Sequence, residues 1–168
     1  MTDDEVAIRR LRNSDSLQEL TDLLHRSYRV LAEMNLRYFA THQSVDQTRD
    51  RIGNGTCFVA VRDGVIVGTI LYRRPGQSRG TPFYERPGVA KVSQLAVEPK
   101  LQQQGIATRL IDHAEKTARD DGALELALDT AEQATHLIEW YERLGYRFIE
   151  HADWDVTNYR SVVMSKRL

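Results

Sequence analysis

Two runs rich in β-branched residues, Thr56–Arg62 and Val65–Tyr72, are separated only by Asp63-Gly64. So short a connection of this composition closes as a tight antiparallel hairpin, so the middle of the chain must build a sheet. Downstream, strand and helix patterns alternate. Ala90–Val97 reads as a strand, and Gln103–Asp120 as a helix with Ile106, Leu110, Ala114 and Ala118 at i, i+4 spacing. Gly122 ends that helix before a strand at Leu124–Leu128, and Thr135–Leu144 is a short helix stopped by Gly145. A strand, a helix and another strand in succession imply a parallel crossover. Tyr146–Glu150 and Arg160–Lys166 close the pattern as strands.

Upstream, Val6–Leu11 alternates as a half-buried strand does. Asn13, Ser14 and Asp15 offer N-caps to a helix with Leu17, Leu20, Leu24, Tyr28 and Leu31 along one face. A second helical stretch covers Leu31–Ala40 and Val45–Ile52, up to the turn Gly53-Asn54-Gly55. Three of the four prolines fall in Arg73–Gly88, which reads as a mobile surface loop able to carry function. The result is an α/β chain with a mixed sheet and helices on both faces. At 168 residues it suits one domain spanning residues 1–168 and is short for two.

Composition removes several function classes. The formal net charge of -1, with Lys and Arg interspersed among acids, lacks the basic stripe of a nucleic-acid binder. The single cysteine, Cys57, excludes an internal disulfide framework, and its strand setting suits a small inert hydrophobe. The five histidines are scattered without ligand spacing, which argues against a metal. The acidic start Met1–Glu5 is unlike a signal peptide, and no apolar stretch approaches a membrane span. These features read as a soluble, cytoplasmic protein.

The segment Val92–Leu110 carries the most chemistry. A strand runs through a turn punctuated by Pro99 into an amphipathic helix with Gly105 and Ala107 in its first turn. Open N–H groups and the positive dipole end make such a helix start a site for phosphate. The same small residues would equally permit close helix–sheet packing, and shape alone does not choose. There is no Gly-Lys-Ser/Thr and no G-x-G-x-x-G after a strand, so neither a P-loop nor a dinucleotide fingerprint is present.

Gln102-Gln103-Gln104-Gly105-Ile106-Ala107 resembles the Q/R-x-x-G-x-G/A signature of the GNAT acetyltransferase superfamily, and Trp140–Phe148 resembles its YEKLGF segment. Motif order and element order both fit, so the resemblance spans essentially the whole chain. It implies a mostly antiparallel central sheet of about seven strands and direct acetyl transfer from acetyl-CoA to a primary amine, with no metal. It implies that Leu95, Ala96 and Val97 pair with the pantetheine arm beside a bulge. Gln102, Gln103, Gln104, Gly105, Ile106, Ala107 and Thr108 would hold the pyrophosphate, with the thioester lying between two diverging strands. A backbone N–H at Leu95 or Ala96 is the oxyanion candidate.

Tyr141 stands at the family's tyrosine position and is the candidate acid for the departing thiolate, although a packed aromatic would look the same. Two departures matter. Lys91 stands where some relatives have a glutamate base, and a lysine serves only with a strongly depressed pKa. Glu85, Glu98, Asp129 and Asp155 are then candidate relays through water. Ala134 stands where many relatives have asparagine, leaving Thr135 or His136 to replace it, and His113 reads as solvated.

The resemblance puts the acceptor between the first helices and the last inter-strand loop, which makes Tyr28, Glu33, Tyr38, Trp154 and Asp155 the candidate substrate residues. Aromatic groups beside carboxylates suit a cationic amine. The arginines of the Arg73–Gly88 loop could instead meet an acidic acceptor or the CoA 3′-phosphate. The acceptor is a small-molecule amine or a protein amine. A catalytically silent acyl-CoA-binding sensor would show the same donor motif without turnover. Ser161–Met164 is expected to offer an edge for a homodimer.

Overall fold

The computed structural model describes residues 5–168, so the acidic start Met1–Asp4 lies outside the described residues. Seven strands and four α-helices follow the chain as β1 (Ala7–Arg10), α1 (Leu17–Glu33), α2 (Val45–Gly53), β2 (Thr56–Arg62), β3 (Val65–Arg73), β4 (Val89–Val97), α3 (Ile106–Asp120), β5 (Glu125–Ala131), α4 (Thr135–Arg143), β6 (Arg147–Asp153) and β7 (Arg160–Arg167). They form one mixed sheet in the order β1-β2-β3-β4-β5-β7-β6. Only β4 and β5 run parallel, and the other neighbours are antiparallel.

The hairpin sets the centre. Asp63 and Gly64 both have positive φ, 51° and 75°, the left-handed pair that matches the twist of β2 and β3. Because side chains alternate along a strand, β2 feeds two cores. Cys57 and Val59 pack with Leu20 and Leu23 of α1, whereas Phe58 and Ala60 join Leu110, Ile111 and Ala114 of α3. Helices therefore cover both faces.

Local chemistry explains where the helices begin and end. Ser16, one residue past the expected caps, accepts from the Glu19 N–H at 3.1 Å, and Asp15 instead pairs with Arg9 at 2.8 Å. Ser44 and Gln47 form a reciprocal capping box on α2. Leu31–Ala40 is not continuous helix. Asn35 takes φ 60°, which ends α1, and Phe39–Thr41 adds only one 3-10 turn. Likewise α3 starts at Ile106 rather than Gln103, because Gln103 and Gly105 both have positive φ.

Three further expectations are corrected. The Arg73–Gly88 segment is not merely a surface loop, because Ser78, Thr81, Phe83 and Tyr84 are buried. Phe83 and Tyr84 pack with Val89, Ala127, Ala152 and Val163, a cluster of strand and loop residues to which no helix contributes. The strand holding Ser161–Met164 offers no edge either. It is β7, held between β5 and β6, so the edge on that side is β6. His113 is also not simply solvated, since its ring meets Phe58 edge-on at 4.5 Å and burial lowers its pKa. Cys57 is buried, its thiol 3.3 Å from Thr69 Oγ1, and burial pushes its pKa up to about 11. No described helix is long and apolar enough to cross a membrane.

Leu110 is fully buried at the crossing of α3 over the sheet. Leu110→Ala should lower unfolding free energy by about 2–5 kcal/mol in urea denaturation, the range for a cavity left by a buried leucine.

Candidate active site

The parallel pairing of β4 with β5 is short. It covers Val89, Ala90 and Lys91 opposite Glu125, Leu126 and Ala127, and past Lys91 the strands separate. On its other side β4 stays paired with β3, but its register shifts where Gln94 adopts φ 54°. A non-glycine residue in that region costs about 1–2 kcal/mol and needs a compensating partner. Gln43 supplies it. Its buried side-chain amide donates to Gln94 Oε1 at 2.7 Å and to Thr48 Oγ1 at 2.8 Å, while its own Oε1 accepts from Arg51 at 2.9 Å.

The divergence opens a cavity of about 850 Å³. Leu95, Ala96 and Val97 line it on β4, and Gln102, Gln103, Gly105, Ile106, Ala107 and Thr108 line it on the following turn and helix. Gln104 is exposed and does not line it. Gly105 caps α3 from the left-handed region at φ 84°, with no side chain closing the helix end and no acid in the first turn. The first α3 bond beyond it runs from Arg109 N–H to Gly105 C=O at 3.0 Å. The N–H groups of Ile106, Ala107 and Thr108 precede that bond, at the positive end of the helix dipole.

At the far end of α4, Tyr141 is buried among Trp140 and Tyr146 yet lines the cavity. Among the described residues its hydroxyl has no hydrogen-bond partner. Burial, followed by Tyr28, Tyr38 and Asp129, holds its pKa above the ordinary phenol value, so the proton stays on at neutral pH. Tyr38 also lines the cavity, but its hydroxyl is engaged by Thr130 Oγ1 at 2.6 Å and by the Ala131 N–H at 2.9 Å. Ala134 is buried at the start of α4 with no side-chain cap; His136 lines the cavity and Thr135 does not.

The acceptor candidates divide. Tyr28, Tyr38 and Trp154 line the cavity, whereas Glu33 and Asp155 are exposed and outside it. The Trp154 ring occupies the space a Cβ on Gly80 would need, only 2.4 Å away, and Gly80 has φ 104°. Of the four candidate relay carboxylates, Asp129 alone lines the cavity. Glu98 pairs with Arg26 at 2.7 Å and Glu85 lies 3.6 Å from Arg79. Asp129 accepts from the Tyr84 hydroxyl at 2.5 Å and lies 3.5 Å from Lys91 Nζ.

Lys91 sits over the Tyr84 and Trp154 rings at 4.4 and 5.2 Å. Burial lowers its pKa, with Asp129 opposing and Arg73 and Arg51 adding to the shift. Sequence reasoning missed Gln43, Arg51, Tyr84 and Gln94. Arg51 in particular reads in sequence as one charge among many on a polar helix. Among the described residues no cluster of three or more His, Cys, Asp or Glu forms a metal site.

Residues 17–146 match the acetyltransferase (GNAT) family. The chain belongs to that family. It is similar to the S-(2-succino)cysteine N-acetyltransferase of Bacillus subtilis (strain 168), with 31% identity over 140 residues covering 82% of each chain. It is also similar to the S-alkylcysteine N-acetyltransferase of the same organism, with 27% identity over 161 residues covering 93% of this chain and 86% of the relative. A GNAT family acetyltransferase from Elizabethkingia anophelis with acetyl-CoA bound shares the fold, with a TM-score of 0.70, 16% identity and coverage of 98% and 99%. This GNAT protein is an acetyl-CoA-dependent N-acetyltransferase, and its mixed seven-stranded sheet is the GNAT fold.

Gln43→Leu would leave Gln94 and Arg51 without their amide partner in this GNAT site. A loss of about 1–3 kcal/mol is expected, the cost of unsatisfied buried polar groups, and thermal or urea unfolding measures it.

Proposed function

We propose that this N-acetyltransferase acts on the α-amine of an S-substituted cysteine or a closely related small amino acid. The observation that carries the reading is that both Bacillus subtilis relatives, aligned over most of the chain, act on S-substituted cysteines. A cavity walled by Tyr28, Tyr38, Phe39, Trp154 and Tyr159 suits a small acceptor with a thioether arm.

In this reading the pyrophosphate of acetyl-CoA rests on the N–H groups from Gln103 to Thr108, and the pantetheine runs along Leu95–Val97. The amine attacks the thioester carbonyl, a C–N bond forms and the oxygen gathers charge. A backbone N–H at Leu95 or Ala96, beside the Gln94 bulge, stabilises that oxyanion. Collapse breaks the C–S bond, and Tyr141 gives its proton to the departing thiolate. The proton lost by the amine passes through water to Asp129, which Tyr84 and Lys91 hold in position. In this reading Lys91, 3.5 Å from that carboxylate, positions it rather than acting as the base.

Thiol release from acetyl-CoA across a panel of S-methylcysteine, S-(2-succino)cysteine, simple alkylamines and lysine-containing peptides tests the acceptor. Turnover is expected with the cysteine derivatives; turnover confined to peptides would sink the proposal. Tyr141→Phe should lower kcat about 10²-fold, with acetyl-CoA affinity nearly unchanged, as for loss of a general acid. A kcat within a few-fold of wild type would remove Tyr141 from that role.

A further inference from the structure

We propose that Arg51 binds a carboxylate of the acceptor, so that the enzyme selects amino-acid amines over matched amines lacking that group. The proposal rests on the small-acceptor reading above and adds the residue that would impose it.

Arg51 lies in the last turn of α2 and lines the cavity. Its Nη1 donates to the neutral Gln43 amide at 2.9 Å, and its guanidinium carbon stands 4.9 Å from the centroid of the Phe39 ring. Among the described residues no carboxylate lies within ion-pairing distance of it. Arginines nearer solvent are served better. Arg9 meets Asp15 at 2.8 Å, Arg26 meets Glu98 at 2.7 Å, Arg147 meets Glu125 at 2.6 Å and Arg160 meets Glu132 at 2.7 Å. A guanidinium presents five N–H donors, and a single amide oxygen leaves most of them unused.

The surrounding charge points the same way. Burial and then Arg73 draw the Arg51 pKa down to about 10, and Arg73 and Arg51 both act against the charge on Lys91. Three cations thus share the region, and the one carboxylate that lines the cavity among the described residues, Asp129, is already engaged by Lys91 and Tyr84. An anion placed on Arg51 would relieve that excess, and a carboxylate matches its planar fork in two parallel hydrogen bonds.

The CoA phosphates are the wrong anion for this place. Arg51 projects from α2 and contacts Gln43 and the Phe39 ring, whereas the open N–H groups that suit a phosphate stand at the start of α3. Gln43 fixes the direction of the guanidinium while also holding Gln94 in the β4 bulge. Carboxylate anchor and bulge are therefore tied to one buried amide, which would set the acceptor amine at a defined distance from the thioester.

The experiment compares S-methylcysteine with its decarboxylated counterpart, 2-(methylthio)ethylamine, in wild type, Arg51→Gln and Arg51→Lys. Wild type should favour the amino acid in kcat/KM by about 10- to 100-fold, the worth of charge-assisted hydrogen bonds. Arg51→Gln should bring that ratio to within about 3-fold, mainly through the acceptor KM, and Arg51→Lys should restore part of it. Acetyl-CoA binding by calorimetry, expected near the wild-type value, confirms that the variants are folded. A ratio unchanged in Arg51→Gln, or a wild type that turns over both amines equally, overturns the role of Arg51 and leaves the small-acceptor reading standing. Failure of wild type to turn over either compound overturns the acceptor reading and this inference together.

Discussion

The separation of β4 from β5 after Lys91 is the constraint on which the rest of the site depends. Two parallel strands that kept their ladder would spend their facing amides on each other and leave no gap. Here the ladder stops after Val89–Lys91, and β4 continues with β3 on one side and a cavity on the other. The shape has an energetic cost, because Gln94 must hold a left-handed conformation. Gln43 offsets that cost with a buried hydrogen bond, and Ser27 Oγ takes up the Val97 N–H at 3.3 Å. The open edge is therefore maintained by specific partners from α1 and the segment before α2.

The walls of the opening follow from the same geometry. The fork lies between the turn into α3 on one side and α4 on the other, so amides and a phenol face a common space. The α3 end is left uncapped by any side chain, whereas α2 carries a full capping box. A helix with no ligand function gains stability from such a cap, so an uncapped start opening on a cavity suits an anion. Tyr141 differs from Tyr38 and Tyr146 in the same respect. The latter two spend their hydroxyls on Thr130 and Glu115, while that of Tyr141 has no partner among the described residues.

Much of this was legible in the sequence. The hairpin at Asp63-Gly64, the order of elements, the strand–turn–helix at Val92–Leu110 and Tyr141 on a short helix were all read correctly as local structure. Each rests on turn chemistry or periodicity, which neighbouring residues determine. The readings that failed concern segments whose state is decided elsewhere. Arg73–Gly88 has the prolines and glycines of a loop, yet Phe83 and Tyr84 are buried because they pack on Val89, Ala127, Ala152 and Val163 of four different strands. Ser161–Met164 reads as an edge, but β6 folds back outside it. Glu33 and Asp155 share segments with Tyr28 and Trp154 but point away from the cavity.

By itself the sequence determined the fold and the amide-lined turn into α3, because one continuous stretch of chain builds that turn and main-chain N–H groups require no distant partner. Only the tertiary structure decided the acceptor side. Arg51 and Gln43 come from α2 and the residues just before it, between β1 and β2, Tyr84 from the loop after β3, Lys91 and Gln94 from β4, and Asp129 from β5. Burial, and then the charges the fold brings near, shift the pKa values of Arg51, Tyr84 and Lys91. Neither can be computed from local spacing. Arg51 is the clearest case: on an isolated helix it would be one solvated cation among several, and only packing makes it a cation with no anion partner among the described residues.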